Sequence, residues 1–415
     1  MLKKSSQNST TNNRVPAKNH FQHQRLTADQ PEAPWSTIAA PFPAQLGDRA
    51  FEDSIERFIS SIQQRIDSLW LVHGTFVGND ALGIFGQIER AIPALGPTLK
   101  LLGKNLTDAL AGDTGNFSNR FAEQISGDVP VNRFTWSGEN SHSGRCKAAI
   151  ELLAAMIEQI ETRPRVLLWG HSHAGNIAAL VTNLIGAEPW CRDAFLELAE
   201  PLFPVSNDPS AKPTALQQVR EAFSNGTPQK LELDIVNFGT PVSYGWDSGG
   251  YRRLMHVVNH RPAGGQPLWL CPPVNVAGRW LFSSAGAEVS APDSGGSDEQ
   301  VSGDMIQILG IAGSEFLPWL LDQSTRDCET ALQKFIAPGH ERNDYIRHAS
   351  IGSRVANEGI SVLVEYDNTN GLAAATMGHS IYTRTAWLGF HCDLVRKTLY
   401  SSDAADESPL PKLNS

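Results

Sequence analysis

"LLWGHSHAGNIAAL", Leu167–Leu180, decides the fold. An apolar run stops at Gly170. A serine follows between two histidines, and then a run of small residues rises into apolar ones. Leu167, Leu168 and Trp169 form a short continuous apolar segment, as a strand buried on both faces requires. After the serine, Ile177, Leu180, Val181, Leu184 and Ile185 recur at helical spacing. The stretch therefore predicts strand, sharp turn, helix. In such an elbow the serine sits in a strained conformation, and its neighbours two before and two after must be small. Here they are Gly170 and Ala174, followed by Gly175. Alanine stands where glycine is commoner, and its Cβ adds some crowding. Ser172 is the expected nucleophile, and a plain structural turn is the alternative.

The rest of the chain fits that centre. Short apolar segments alternate with helical patterns. "LWLVHG" (69–74), "NRFTWSG" (132–138), "RVLLWG" (165–170), "LELDIVNFGTP" (231–241), "LMHVVNH" (254–260) and "ISVLVEYDN" (360–368) read as strands. "CKAAIELLAAMIEQI" (146–160) places Ile150, Leu153, Ala154 and Ile157 on one helical face, and "AWLGFHCDLVRKTLY" (386–400) is a final amphipathic helix. The expectation is an α/β fold with a mostly parallel central sheet flanked by helices. Residues 1–34 and 401–415 read as polar, disordered tails around one domain over 35–400. Two insertions, about 77–128 and 262–345, interrupt the alternation and are candidates for a cap or lid.

The pattern also distributes chemical roles. A helix starting at the serine points backbone N–H groups at a reacting carbonyl, so the His173 amide is the expected oxyanion donor. A second donor comes from the loop after "LVHG", through the amide of Thr75 or Phe76. His171 and His173 adjoin Ser172, but their backbone positions turn them away from its hydroxyl. The expected base is His379, in "MGHSIY" after the last strand. His256, His260 and His391 read as packing residues. The acid that orients the base is expected at Asp304, at the start of an apolar helix, where a helix N-cap is its other reading. Asp367 and Asp247 are the alternatives.

Composition excludes several classes. The 415 residues carry a formal charge of −10 with no basic block, so nucleic acid is not an expected partner. No uncharged apolar run is long enough to span a bilayer, which leaves at most transient lipid contact. The five cysteines are scattered without metal-type spacing, and read as buried free thiols in a reducing compartment. No HExxH occurs, so no metal is expected. The N-terminus lacks the apolar core of a signal peptide. A cytoplasmic location is the expectation, with export by a signal-independent route as the alternative.

"LVHGTF", "GHSHAGN" and "MGHSIYTRTAWLGFH" together resemble the α/β-hydrolase superfamily, and bacterial lipase-like serine hydrolases in particular. "DIVNFGTPV" is similar to the strand that follows the elbow helix in class 3 lipases. The likeness covers about 65–400, apart from the two insertions. It implies a Ser-His-Asp triad, an oxyanion hole, no cofactor, and a carboxylester hydrolase acting on a small-molecule or lipid ester with an apolar acyl group. The class 3 acid has no counterpart, since "NHRP" (259–262) stands in its place. An amidase, peptidase or thioesterase would use the same residues. A non-catalytic interaction protein with a decayed triad is a further alternative.

Overall fold

The computed structural model describes residues 21, 31, 33–41, 43–44, 46–74, 117–125, 127, 129–204, 208, 210–260, 262, 267–271, 304, 307, 323–337, 353–366 and 378–401. In chain order these form β1 (Trp35–Ala39), α1 (Arg49–Ile62), β2 (Ser68–Val72), α2 (Phe117–Gln124), β3 (Val131–Phe134), α3 (His142–Ile157), β4 (Arg165–His171), α4 (Ala174–Gly186), α5 (Pro189–Leu198), α6 (Ala215–Ser224), β5 (Glu232–Phe238), β6 (Arg253–Asn259), β7 (Leu270–Cys271), α7 (Gln323–Ile336), β8 (Ser353–Arg354), β9 (Ile360–Glu365) and α8 (Thr385–Leu399). Seven strands make one sheet in the order β1-β9-β6-β5-β4-β2-β3. Every pairing in it is parallel. The short β7 and β8 form a separate antiparallel pair.

Parallel pairing forces helical crossovers, and these cover both faces. The strand side chains divide between the faces with a period of two. Trp70, Val72, Val166, Leu168, Leu233, Ile235 and Leu254 point into the core beneath α3, α4, α5, α6 and α7. Leu69, Leu71, Leu167, Trp169, Val236, Phe238, Met255 and Val257 point the other way, into the core beneath α1, α2 and α8. Each large apolar side chain so buried contributes about 1.5–3 kcal/mol. This alternation holds the strand ends in register.

Three features extend the sequence reading. β1 is an edge strand paired with β9, with Trp35 opposite Ser361 and Ala39 opposite Glu365. α7 falls inside the second expected insertion, yet it belongs to the helical layer. Its fully buried Glu329 accepts the backbone N–H groups of His142 (2.6 Å) and Ser143 (2.7 Å) at the start of α3. A helix start has no carbonyls of its own for these groups, and a carboxylate there also meets the positive end of the helix dipole. Phe21, within the expected N-terminal tail, is buried against Phe195 and Phe335, with ring centroids 5.0 and 5.2 Å away. An aromatic ring in a polar segment has found the apolar gap between α5 and α7. Among the described residues no helix is long and apolar enough to cross a membrane.

Candidate functional site

The chemistry-bearing residues gather past the carboxyl ends of the parallel strands, where open α/β sheets place their ligands. His73 and Gly74 follow β2, Ser172 follows β4, Asp304 comes after β6, and His379 comes after β9.

Ser172 is the one non-glycine residue with positive φ among the described residues, at 59°. Such a conformation costs a residue with a Cβ about 1–2 kcal/mol and persists only where the surroundings impose it. Here the Ser172 N–H donates to the Phe238 carbonyl at 2.8 Å, and its own carbonyl accepts from Gly175 N at 3.1 Å. The space around the turn is filled to the last methyl group. A Cβ on Gly74 would overlap the Ser172 Cβ, and one on Gly175 would overlap the Thr240 side chain. A Cβ on Gly170 would lie 3.2 Å from the Ala174 Cβ. Ala174 is accommodated because Gly170 has no side chain. α4 begins at once, so the His173 amide lies in a first helical turn with no helix carbonyl before it.

His379 Nδ1 donates to Asp304 Oδ2 at 2.7 Å. Both side chains are buried, with the Asp304 side chain 0% exposed. The proton on Nδ1 leaves Nε2 as the acceptor of the ring. Neither His379 Nε2 nor Ser172 Oγ has a hydrogen-bond partner among the described residues. The segment around His379 is braced from several sides. Asn259 Nδ2 donates to the Gly378 carbonyl at 3.1 Å. Asn259 N donates to the Tyr382 hydroxyl at 2.7 Å, and that hydroxyl is also hydrogen-bonded to Asp304. The Tyr382 ring meets His379 edge-on at 5.9 Å. His171 Nε2 bonds the His379 carbonyl at 3.3 Å, and the two rings pack with centroids 4.7 Å apart. Burial holds His171 well below the ordinary histidine range, and the neighbouring His379 adds to this. A neutral His171 uses its Nε2–H for that bond.

Across the sheet, His73 pins the loop that carries Gly74. Trp136 N donates to His73 Nε2 at 3.2 Å, so the ring proton is on Nδ1 and donates to the Gly74 carbonyl at 2.7 Å. Trp136 Nε1 returns a bond to the His73 carbonyl at 2.9 Å.

Of the expected site residues, the structure thus brings Asp304 to His379 and sets Ser172 and His173 at the elbow. Thr75, Phe76 and Asp367 lie outside the described residues. Asp247 is held elsewhere. Its carboxylate accepts from Gly249 N at 2.8 Å and lies against Gly186, the last residue of α4. The loop after β5 runs along α4 and delivers Asp247 to the helix end opposite Ser172. His256, His260 and His391 are buried, and His391 Nε2 pairs with the Tyr366 hydroxyl at 2.7 Å. The sequence reading missed the bracing roles of His171, Tyr382 and Asn259. Tyr382 stands one helical turn from His379, and that spacing was the available signal.

Cys146, Cys191, Cys328 and Cys392 are free thiols. Among the described residues no group of three or more His, Cys, Asp or Glu side chains is arranged to hold a metal ion. No protein-family model matches the chain, and no curated protein matches it.

Proposed function

We propose that the protein is a serine hydrolase of the α/β-hydrolase type, acting on carboxylic esters. The observation that carries this reading is the buried Asp304–His379 hydrogen bond beside a serine held at φ 59° at the start of a helix. The carboxylate fixes the imidazole in the tautomer with a basic Nε2, as a general base for a serine requires. On substrate binding, His379 Nε2 takes the Ser172 proton as Oγ attacks the ester carbonyl. An apo site often closes this last hydrogen bond only with substrate present. The His173 amide, with an amide from the loop after Gly74, holds the oxyanion of the tetrahedral intermediate. His379 then protonates the leaving alcohol. Water, deprotonated by the same histidine, cleaves the acyl-enzyme. Asp304 stabilises the imidazolium throughout and does not itself take the proton.

The test is covalent. A fluorophosphonate probe should label Ser172, located by peptide mass spectrometry. Ser172→Ala should lower kcat on p-nitrophenyl butyrate by at least about 10⁴-fold. Folded protein that takes up no probe would overturn the proposal.

A further inference from the structure

His173 has a second feature besides its backbone amide. Its Nδ1 lies 3.0 Å from Asn176 Nδ2. The orientation of that amide is set at both ends. Asn176 Oδ1 accepts from Ser243 N at 3.0 Å, and Nδ2 donates to the Pro241 carbonyl at 2.9 Å. An amide nitrogen carries two hydrogens, so the second one goes to His173 Nδ1. Nδ1 is then the bare nitrogen of the ring, and the proton is on Nε2. This N–H is buried and has no hydrogen-bond partner among the described residues. Burial holds the ring well below the ordinary histidine range, and the charges of Arg145, His379 and His142 act in the same direction. The ring therefore stays a neutral donor at physiological pH.

Arg145, one of those charges, belongs to a buried polar group: its Nε donates to the Tyr244 hydroxyl at 2.8 Å and its Nη1 donates to Asn140 Oδ1 at 2.9 Å. His142 Nδ1 lies 2.7 Å from the same hydroxyl. Native proteins seldom leave a buried donor without a partner, and where they do it needs an explanation. The ring belongs to the residue directly after the nucleophile, whose amide faces the reacting carbonyl, so the natural partner is the substrate.

We infer that the Nε2–H of His173 is a substrate-recognition donor, reading an acceptor oxygen that the ester carries within a few atoms of its scissile carbonyl. This rests on the serine-hydrolase reading and narrows it from plain hydrocarbon acyl esters to oxygen-bearing ones. The oxygen belongs either to the acyl chain, as in an alkoxy-, hydroxy- or keto-acyl group, or to the alcohol.

Two matched substrate pairs separate these sources, each exchanging one methylene for oxygen. p-Nitrophenyl methoxyacetate against p-nitrophenyl butyrate tests the acyl side. 2-Methoxyethyl butyrate against butyl butyrate tests the alcohol side. The ratio of kcat/KM within a pair is compared between the wild type, His173→Phe and His173→Gln, so that intrinsic reactivity cancels. The expected result is a loss of about tenfold in the oxygen-to-methylene ratio of one pair in His173→Phe, the contribution of one neutral hydrogen bond. His173→Gln, which restores a donor, should recover most of that loss. A ratio unchanged in both pairs, with turnover still dependent on Ser172, overturns this inference and leaves the hydrolase reading standing. A folded wild type inert in both pairs overturns both. One measurement needs no variant to fold. The ¹⁵N spectrum of histidine-labelled wild type at pH 7 should show His173 neutral with its proton on Nε2. A proton on Nδ1, or a cationic ring, overturns the inference.

Discussion

Gly74 stands so close to Ser172 that a methyl group on the glycine would overlap the serine Cβ and lie 2.9 Å from the His171 carbonyl. The loop after β2 and the turn after β4 are therefore fitted backbone against side chain. Gly74→Ala must push one of them aside. The expected cost is about 1–3 kcal/mol of stability, as for other overpacked sites. Phosphonate labelling of Ser172 should fall with it. A variant with wild-type melting temperature and labelling rate would show that the two loops are not in contact.

Ser172→Gly and Ser172→Ala both remove the hydroxyl, but only alanine keeps a Cβ at φ 59°. Glycine adopts that conformation without steric cost. The glycine variant should be the more stable of the two by about 1 kcal/mol. Chemical denaturation of the pair reads the difference directly. The reverse order would show that the turn is unstrained.

The Asp304–His379 bond and its brace should separate in their effects. Asp304→Asn leaves an isosteric amide that no longer favours the Nδ1–H tautomer, and kcat should drop about 10³–10⁴-fold. Tyr382→Phe keeps the ring against His379 but removes the hydroxyl shared by Asp304 and Asn259 N. Its kcat should fall only about tenfold. The orphaned Asn259 N–H should lower stability by about 1–3 kcal/mol. Equal losses of activity in both variants would contradict this division of labour.

Buried neutral histidines give the fold an acid limit. Burial holds His256 and His260 at about 4 and His391 at about 3, against an ordinary value of 6.5. Above pH 6.5 both folded and unfolded chains keep these rings neutral. Below it the unfolded chain takes up protons that the folded one refuses, so stability falls as pH drops from about 6.5 towards 4. Each such ring contributes up to about 1.4 kcal/mol per pH unit. Glu358, pushed up to about 7 by burial, works in the opposite sense and offsets about one histidine. The melting temperature should decline steadily between pH 6.5 and 4.5, and His256→Gln should flatten that decline. A flat wild-type profile would count against the buried neutral rings.

What the sequence revealed, and what it hid, follows from the range of the interactions involved. β4, the elbow and α4 carry their own signals, because a continuous apolar strand, small flanking residues and a helical face are all local. Chain order points to His379 but leaves the acid open among Asp304, Asp367 and Asp247, and only the folded contact joins Asp304 to His379. β1 was not, since "WSTIA" alternates weakly and becomes a strand only against β9. α1 carries no motif, although Phe51, Ile55, Phe58 and Ile62 share one buried face. α7 reads as part of an insertion, because nothing local discloses that Glu329 meets the start of α3. The tautomer of His173 depends on Asn176, Pro241 and Ser243, three positions that no motif links.

The pairing of β1 with β9 has a consequence for synthesis. Trp35–Ala39 emerge from the ribosome long before Ile360–Glu365 exist, and their strand partner is missing for most of translation. β9 also joins β1 to β6, so the nascent sheet cannot be completed by adding strands in the order they are made. Contacts of such long sequence separation slow folding and expose unpaired edges meanwhile. The growing chain must be kept from sticking to its neighbours until a late strand arrives to bridge its first one.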